Sequence, residues 1–375
     1  MTSPRPEPAP LSADQFRALF PATARCAWLD SPASPPGATP VMSALTSAIE
    51  QVTSGARSWV DWSDSPERAR VAFAGWLGVA ADDVALLNSV AEATATVARG
   101  IPRGTVVVGA NEFRSNLFGW QQLDPSRNPV RLVGQTGTSI DQDALLAAID
   151  ADTVLVAVST VLTFDGQRLD LGKLRDATDA AGARLFVDAT QSLGVLDCSF
   201  GDLRPDYLAV HGYKWMLAPR GAAWLVVRPE LQDELQPIAP SWVSNEDHGF
   251  FGGHLERGSG VRRLDSSPAW PSWIGAVTAL EVLASMDRTT VEAHCTGLAR
   301  TFRERLIGSG IEVVGSDTSS HIVLARPRSV EGTAAALTSG RLRATMLGPY
   351  LRAGFHYFNN LADVEVAVDA LTNLT

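Results

Sequence analysis

The chain has 375 residues and sets 31 Lys and Arg against 41 Asp and Glu, a formal net charge of -10. A surface that acidic repels phosphate backbones and anionic lipid heads, which argues against nucleic acid and membranes as partners. Hydrophobic residues make up 45% and charged residues 19%, a composition that can bury a sizeable core and excludes a disordered chain.

Residues 1–12 carry four prolines and no apolar stretch of the signal-peptide kind. SALTSAIEQ (43–51) has helical spacing. SPERARVAFAGWL (65–77) predicts a helix with Ser65 as N-cap, Pro66 at the first position and Gly78 as its stop. The runs TVVVGA (105–110), TVLVAVS (153–159), ARLFVDA (183–189), DYLAVHG (206–212) and AAWLVVR (222–228) are nearly continuous apolar stretches. Such runs predict strands buried on both faces. Helical patterns lie between them, in DQDALLAAID (141–150) and DLGKLRDATDAAG (170–182). The alternation predicts an α/β fold, a mainly parallel sheet sandwiched by helices.

After Leu255 the texture changes. ERGSGVRRLDSSPAWPSW (256–273) reads as an ordered loop punctuated by tryptophans, and WIGAVTALEVLASM (273–286) as a helix. IEVVG (311–315), HIVLARP (321–327) and ADVEVAVDALTNL (362–374) complete a smaller α+β unit. The division expected is an N-terminal segment 1–40, a large domain 41–285 and a small C-terminal domain 286–375. Cys26, Cys198 and Cys295 are odd in number and widely spaced, against a disulfide framework or a zinc site. No apolar run approaches the ~18 residues of a membrane span, so a cytoplasmic enzyme is expected. His248 and His254, beside Glu246 and Asp247, sit six apart in a glycine-rich stretch. That spacing does not place both on one helix face, and no metal site is expected.

The stretch YLAVHGYKWMLAPRG (207–221) puts Lys214 just past the end of an apolar strand, flanked by His211 and Tyr213. Ligands bind at the carboxyl ends of strands in open α/β sheets, and a lysine there can form an imine with a carbonyl cofactor. By itself the segment fits a surface lysine equally well. Asp188 closes the apolar run of FVDATQSLG (186–194), where a buried carboxylate needs a cationic partner. A protonated pyridine nitrogen is one such partner; a helix-capping role is the other reading.

Together these two motifs resemble the class V aminotransferase family, fold-type I pyridoxal-phosphate enzymes that include cysteine desulfurases, kynureninases and isopenicillin N epimerase-like proteins. The resemblance runs over residues 28–372 and implies a seven-stranded, mainly parallel sheet with pyridoxal 5'-phosphate as cofactor. It implies that Lys214 is the Schiff-base lysine and moves the α-proton. Asp188 would face the pyridine nitrogen and Gln191 the phenolic oxygen. Val90 and Ala91, in Ser89-Val90-Ala91-Glu92, fall at the phosphate cradle, where the family has threonines; His211 and Tyr213 match further phosphate ligands. Phe113, in ANEFRSNLFGW (110–120), aligns with the residue that stacks on the ring. Ser267 and Trp270, in LDSSPAWPSW (264–273), match a loop that reaches the partner subunit's phosphate, which implies a homodimer. Arg352, in YLRAGFHYFNNLADVEVAV (350–368), matches the arginine that grips the substrate α-carboxylate, and Thr163 and Ser31 fall among the substrate contacts. Trp59 and Trp62 lie where relatives shape the site's mouth.

Desulfurases carry a loop cysteine shortly before that arginine, whereas RLRATMLGPY (341–350) is short and has none. The expected chemistry is therefore not persulfide formation. The leading expectation is a carbon–sulfur β-lyase acting on a cysteine S-conjugate, similar to lyases of ergothioneine and lincosamide pathways, or a decarboxylating deaminase of such a conjugate. Transamination and isopenicillin N epimerase-like epimerisation are the alternatives.

Overall fold

The computed structural model describes residues 9–198, 200–246, 249–256, 258–315 and 319–372. Asp247 and His248 lie outside the described residues, as does the side chain of Trp59. Strand β1 (Ala27–Trp28) precedes the strands of the main sheet. These are β2 (Val84–Leu87), β3 (Thr105–Gly109), β4 (Val130–Val133), β5 (Thr153–Ser159), β6 (Arg184–Asp188), β7 (Tyr207–His211) and β8 (Ala223–Val227). Their spatial order is β2-β8-β7-β6-β5-β3-β4. Neighbours from β7 across to β4 are parallel, while β8 runs antiparallel to both β7 and β2.

The apolar runs are strands because both faces of the sheet are covered. Side chains alternate between faces, so Val156, Val158, Leu185 and Val187 enter one core while Leu155, Ala157 and Phe186 enter the other. Helix Ser65–Leu77 ends at Gly78, whose φ of +82° supplies the left-handed stop. Its cap differs from expectation: Ser65 is already helical, and Asp64 occupies the N-cap without a side-chain hydrogen bond.

A second sheet holds β9 (Glu312–Val313), β10 (Ile322–Arg326), β12 (Thr345–Leu347) and β13 (Tyr350–Gly354), in the antiparallel order β12-β13-β10-β9. Strand β11 (Leu342–Arg343) pairs in parallel with β1. A third core lies here, and it draws Ala27 and Leu29 in with Leu298, Phe302, Val323, Leu351 and Phe355. Ser159, Asp188 and His211 end β5, β6 and β7 at the same edge of the main sheet.

Candidate active site

Beyond those strand ends lies a cavity of about 190 Å³. Ser89, Val90, Phe113, Ser115, Ser159 and Thr163 line one part of it. Asp188, Thr190, Gln191, His211, Tyr213, Lys214 and Arg220 line the rest. After β7 the chain turns at Gly212, where a Cβ would come within 2.7 Å of the Trp224 ring and 2.9 Å of Ala218. That close approach tucks Lys214 inward, and only 3% of it is exposed. Burial pulls its pKa down to about 7, helped by the charges of Arg352 and Arg220 and opposed by Asp188. Its Nζ stands 5.0 Å from the centre of the Phe113 ring and 5.5 Å from that of Tyr213. Among the described residues Lys214 has no salt bridge.

Asp188 is buried, and burial raises its pKa against the hydrogen bonds of Thr190 and the charge of Lys214. Its Oδ1 accepts from the Thr190 backbone N–H at 2.8 Å. The Thr190 hydroxyl oxygen accepts in turn from the His211 N–H at 3.0 Å, so one threonine ties the ends of β6 and β7. Gln191 is buried beside them, with Nε2 donating to Pro32 O at 3.0 Å and to Thr163 Oγ1 at 3.2 Å.

At the opposite end, helix Val90–Gly100 aims its N-terminus at the cavity. Ser89 caps it by accepting from Glu92 N. First-turn N–H groups have no intrahelical partner, so those of Val90 and Ala91 remain for an anion. Val90 lines the cavity, whereas the Ala91 side chain is exposed and does not. His211 Nε2 is buried without a hydrogen-bond partner. Burial, then the charges of Lys214 and Arg220, pushes that ring down to about 4 and keeps it neutral. Tyr213 packs edge-on to His211 at 4.4 Å, and the Arg220 guanidinium lies 3.8 Å over the Tyr213 ring.

Arg352 sits on β13, 5% exposed, and donates from Nη1 to Thr163 O at 2.7 Å. Its Nε is buried without a partner. Thr345, opposite Arg352 across the β12–β13 ladder, donates its hydroxyl to Asp30. Asp30 supports the charge of Arg352, whose pKa burial lowers. Ser31 is fully buried with its hydroxyl unpartnered, one residue before the Pro32 carbonyl that holds Gln191. The structure thus brings Arg352 and Thr163 together, although Arg352 and Ser31 stand behind the lining of the main cavity. Ser267 is exposed and Trp270 half-buried, and neither lines this chain's own cavity. Instead Ser266 faces inward and donates its hydroxyl to Glu92.

Several residues of the site lie outside the sequence reading, Arg220 and Glu112 among them. Arg220 lines the cavity, and its only sequence signal was the Pro-Arg-Gly turn after Lys214. Glu112 precedes Phe113 and is buried. It accepts from the Ser159 N–H at 2.6 Å and from the Ser159 hydroxyl, and burial raises it to about 7. Among the described residues, no cluster of His, Cys, Asp and Glu is arranged to hold a metal ion, and no helix is long and apolar enough to cross a membrane.

A cavity with an unpaired buried lysine, a buried carboxylate, an unsatisfied imidazole and an open helix N-terminus matches the polarity of a phosphorylated pyridine aldehyde. Comparison with known proteins gives the same class. The family described as aminotransferase class-V matches residues 27–366. The chain therefore belongs to the class V aminotransferases, enzymes that depend on pyridoxal 5'-phosphate. It is 26% identical to the uncharacterised aminotransferase YcbU of Bacillus subtilis, over 96% of this chain and 98% of that one. It is 27% identical to isopenicillin N epimerase of Amycolatopsis lactamdurans, over 82% and 84%. Among solved structures, the apo cysteine desulfurase of Thermococcus onnurineus has a TM-score of 0.82 at 21% identity, over 99% and 98% of the two chains. The cystine C–S lyase C-DES, in complex with cysteine persulfide, has a TM-score of 0.82 at 19%, over 94% and 99%. At those identities the structural likeness speaks to the fold, which is that of fold-type I enzymes.

Proposed function

We propose that the protein is a cytoplasmic carbon–sulfur β-lyase acting on S-substituted cysteines. The observation that carries this reading is a cavity offering a lysine with a near-neutral pKa and an arginine close behind, with no cysteine in its lining. Cys198 is pushed up to about 11 by burial, and Cys295 is buried with its pKa raised well above the ordinary value. Neither is set up as a thiolate nucleophile. The segment before Arg352 is the tight β12–β13 hairpin, turning at Gly348 with φ +61°.

When bound, pyridoxal 5'-phosphate supplies an aldehyde for the substrate amine and a ring that accepts the electron pair released at Cα. Lys214 would hold the aldehyde through its Nζ, and once the substrate amine has replaced it there the freed Nζ would take the α-proton. A pKa near 7 suits a group that must both accept and return a proton at neutral pH. Asp188 would face the ring nitrogen and favour its protonated form, and Phe113 would pack against the ring. Val90 and Ala91, through their backbone N–H groups, with His211, Tyr213 and Arg220, would hold the phosphate. Arg352 presents its guanidinium to the substrate carboxylate, with Thr163 and Ser31 beside it. With the α-proton on Lys214, a sulfur substituent at Cβ would depart as a thiolate, and addition of water to the released enamine would yield pyruvate and ammonia. A second copy of the chain is the proposed partner, with Ser267 and Trp270 reaching its phosphate site. Met42, Ile49 and Val52 stand exposed along helix Thr39–Thr53, and such a copy would cover them.

The isopenicillin N epimerase relative, which matches over 82% of this chain, favours a second reading, epimerisation at Cα. The holoenzyme incubated with S-alkyl and S-aryl cysteines is expected to release equimolar thiol and pyruvate. Loss of optical activity without thiol supports the epimerase instead, and carbon dioxide release supports decarboxylating deamination. Neither thiol nor pyruvate from any conjugate rules out the lyase.

A further inference from the structure

Trp215 follows Lys214 directly and is fully buried. Its indole Nε1 donates to Gln191 Oε1 at 2.7 Å. An indole N–H donates only, so the amide must turn its oxygen toward Trp215. The NH2 group is then committed to Pro32 O and Thr163 Oγ1. Reversing the amide would set two donors face to face and press its oxygen against the Pro32 carbonyl.

The indole is itself clamped from the C-terminal part of the chain. His356, just after β13, accepts from Tyr357 N at Nδ1 (2.8 Å), which leaves its Nε2 to donate to Trp215 O at 3.0 Å. Its ring stacks on the indole at 5.6 Å, and His321 meets the indole edge-on at 4.3 Å. Gly194 lets the chain pass close to the same carbonyl, since a Cβ there would stand 2.3 Å from Trp215 O.

We propose that Trp215 is a positioning residue for the cofactor ring: its N–H fixes the Gln191 amide so that a phenolic oxygen entering the cavity meets a hydrogen-bond donor and not a carbonyl. The entering oxygen takes the hydrogen now given to the Thr163 hydroxyl, the longer of the two amide contacts. The inference rests on Gln191 facing the phenolic oxygen.

The test is a pH titration of the holoenzyme's visible absorption band. A donor at the phenolic oxygen favours the deprotonated chromophore and holds the midpoint down. Gln191→Met, which removes the donor, should raise the midpoint on the order of 0.5–1 pH unit, the size of one neutral hydrogen bond. Trp215→Phe keeps the stacking but lacks the N–H; it should shift the midpoint the same way, and the double variant should add nothing to Gln191→Met. A merely structural tryptophan would lower the melting temperature and leave the midpoint alone. An unmoved Trp215→Phe midpoint beside a shifted Gln191→Met overturns the role of Trp215; no shift in Gln191→Met overturns the placement of Gln191 and this inference with it. One readout needs no change at position 215: with tryptophan 15N-labelled, one indole N–H signal should move in Gln191→Met, and a spectrum in which none moves also overturns the proposal.

Discussion

Glu112 lies behind the cavity wall, buried, and burial raises its pKa with the charge of Asp188 adding to the rise. Its carboxyl is pushed up to about 7 from an ordinary 4.5. In that interval the folded chain binds a proton that the unfolded chain has lost. The contribution to stability is therefore complete below about pH 4.5 and disappears as pH rises through 7. Its size is on the order of 3 kcal/mol. Glu112→Gln stays neutral throughout and can still accept from Ser159 N. Asn116, which gives its Nδ2 to Glu112 Oε2 at 3.3 Å and leaves its Oδ1 buried without a partner, can turn its amide to accept from the new N–H. Urea unfolding of the apoenzyme should show wild type losing stability relative to Glu112→Gln between pH 5 and 8. Asp188 raises the Glu112 pKa through its charge, so the difference also carries the mutual repulsion of the two carboxylates, which lowers wild-type stability in the same direction. Parallel stability curves for the two would contradict this reading of Glu112.

Helix Val90–Gly100 shows what the family threonines would have added. Val90 is buried at its first turn and lines the cavity, so Val90→Thr keeps the shape and introduces one hydroxyl. Cofactor affinity measured by equilibrium dialysis should rise roughly fivefold, the worth of about 1 kcal/mol from one hydrogen bond. The apoenzyme should melt lower, because the same hydroxyl is unsatisfied without phosphate. Unchanged affinity would mean that the phosphate does not sit at this helix start. The strands β3 and β5 to β8 were legible because each is a continuous apolar run. Strand β2 was not, being four residues that follow two aspartates, too short to show a period. Strand β4 was not, because it is an edge strand that exposes Arg131 and Leu132. Lys214 and Asp188 stood out as charges that end apolar runs. Glu112 was hidden because its partner Ser159 is 47 residues away, and Arg220 because its contacts form only when the turn closes over Tyr213.

The smaller unit is expected to be discontinuous in sequence. Strand β1 pairs with β11, and Ala27 and Leu29 are buried in the third core. Gly354 N donates to Leu29 O, and Asn359 Nδ2 donates to Trp28 O. Arg17 donates to Phe358 O at 2.6 Å and pairs with Asp363 at 2.8 Å. A fragment of residues 286–375 lacks all of these partners. Losing one buried leucine costs about 3–5 kcal/mol, and a unit of this size has only about 5–10 kcal/mol in hand. Here the leucine goes together with a strand pairing and the half-buried Arg17–Asp363 ion pair. That fragment alone should show no cooperative urea transition by circular dichroism, whereas the same fragment fused to residues 9–38 through a flexible linker should recover one. Cooperative unfolding of 286–375 by itself would show instead that the N-terminal residues only rest on a self-sufficient domain, and the route from β1 through Ser31 and Pro32 to Gln191 would then carry no fold energy.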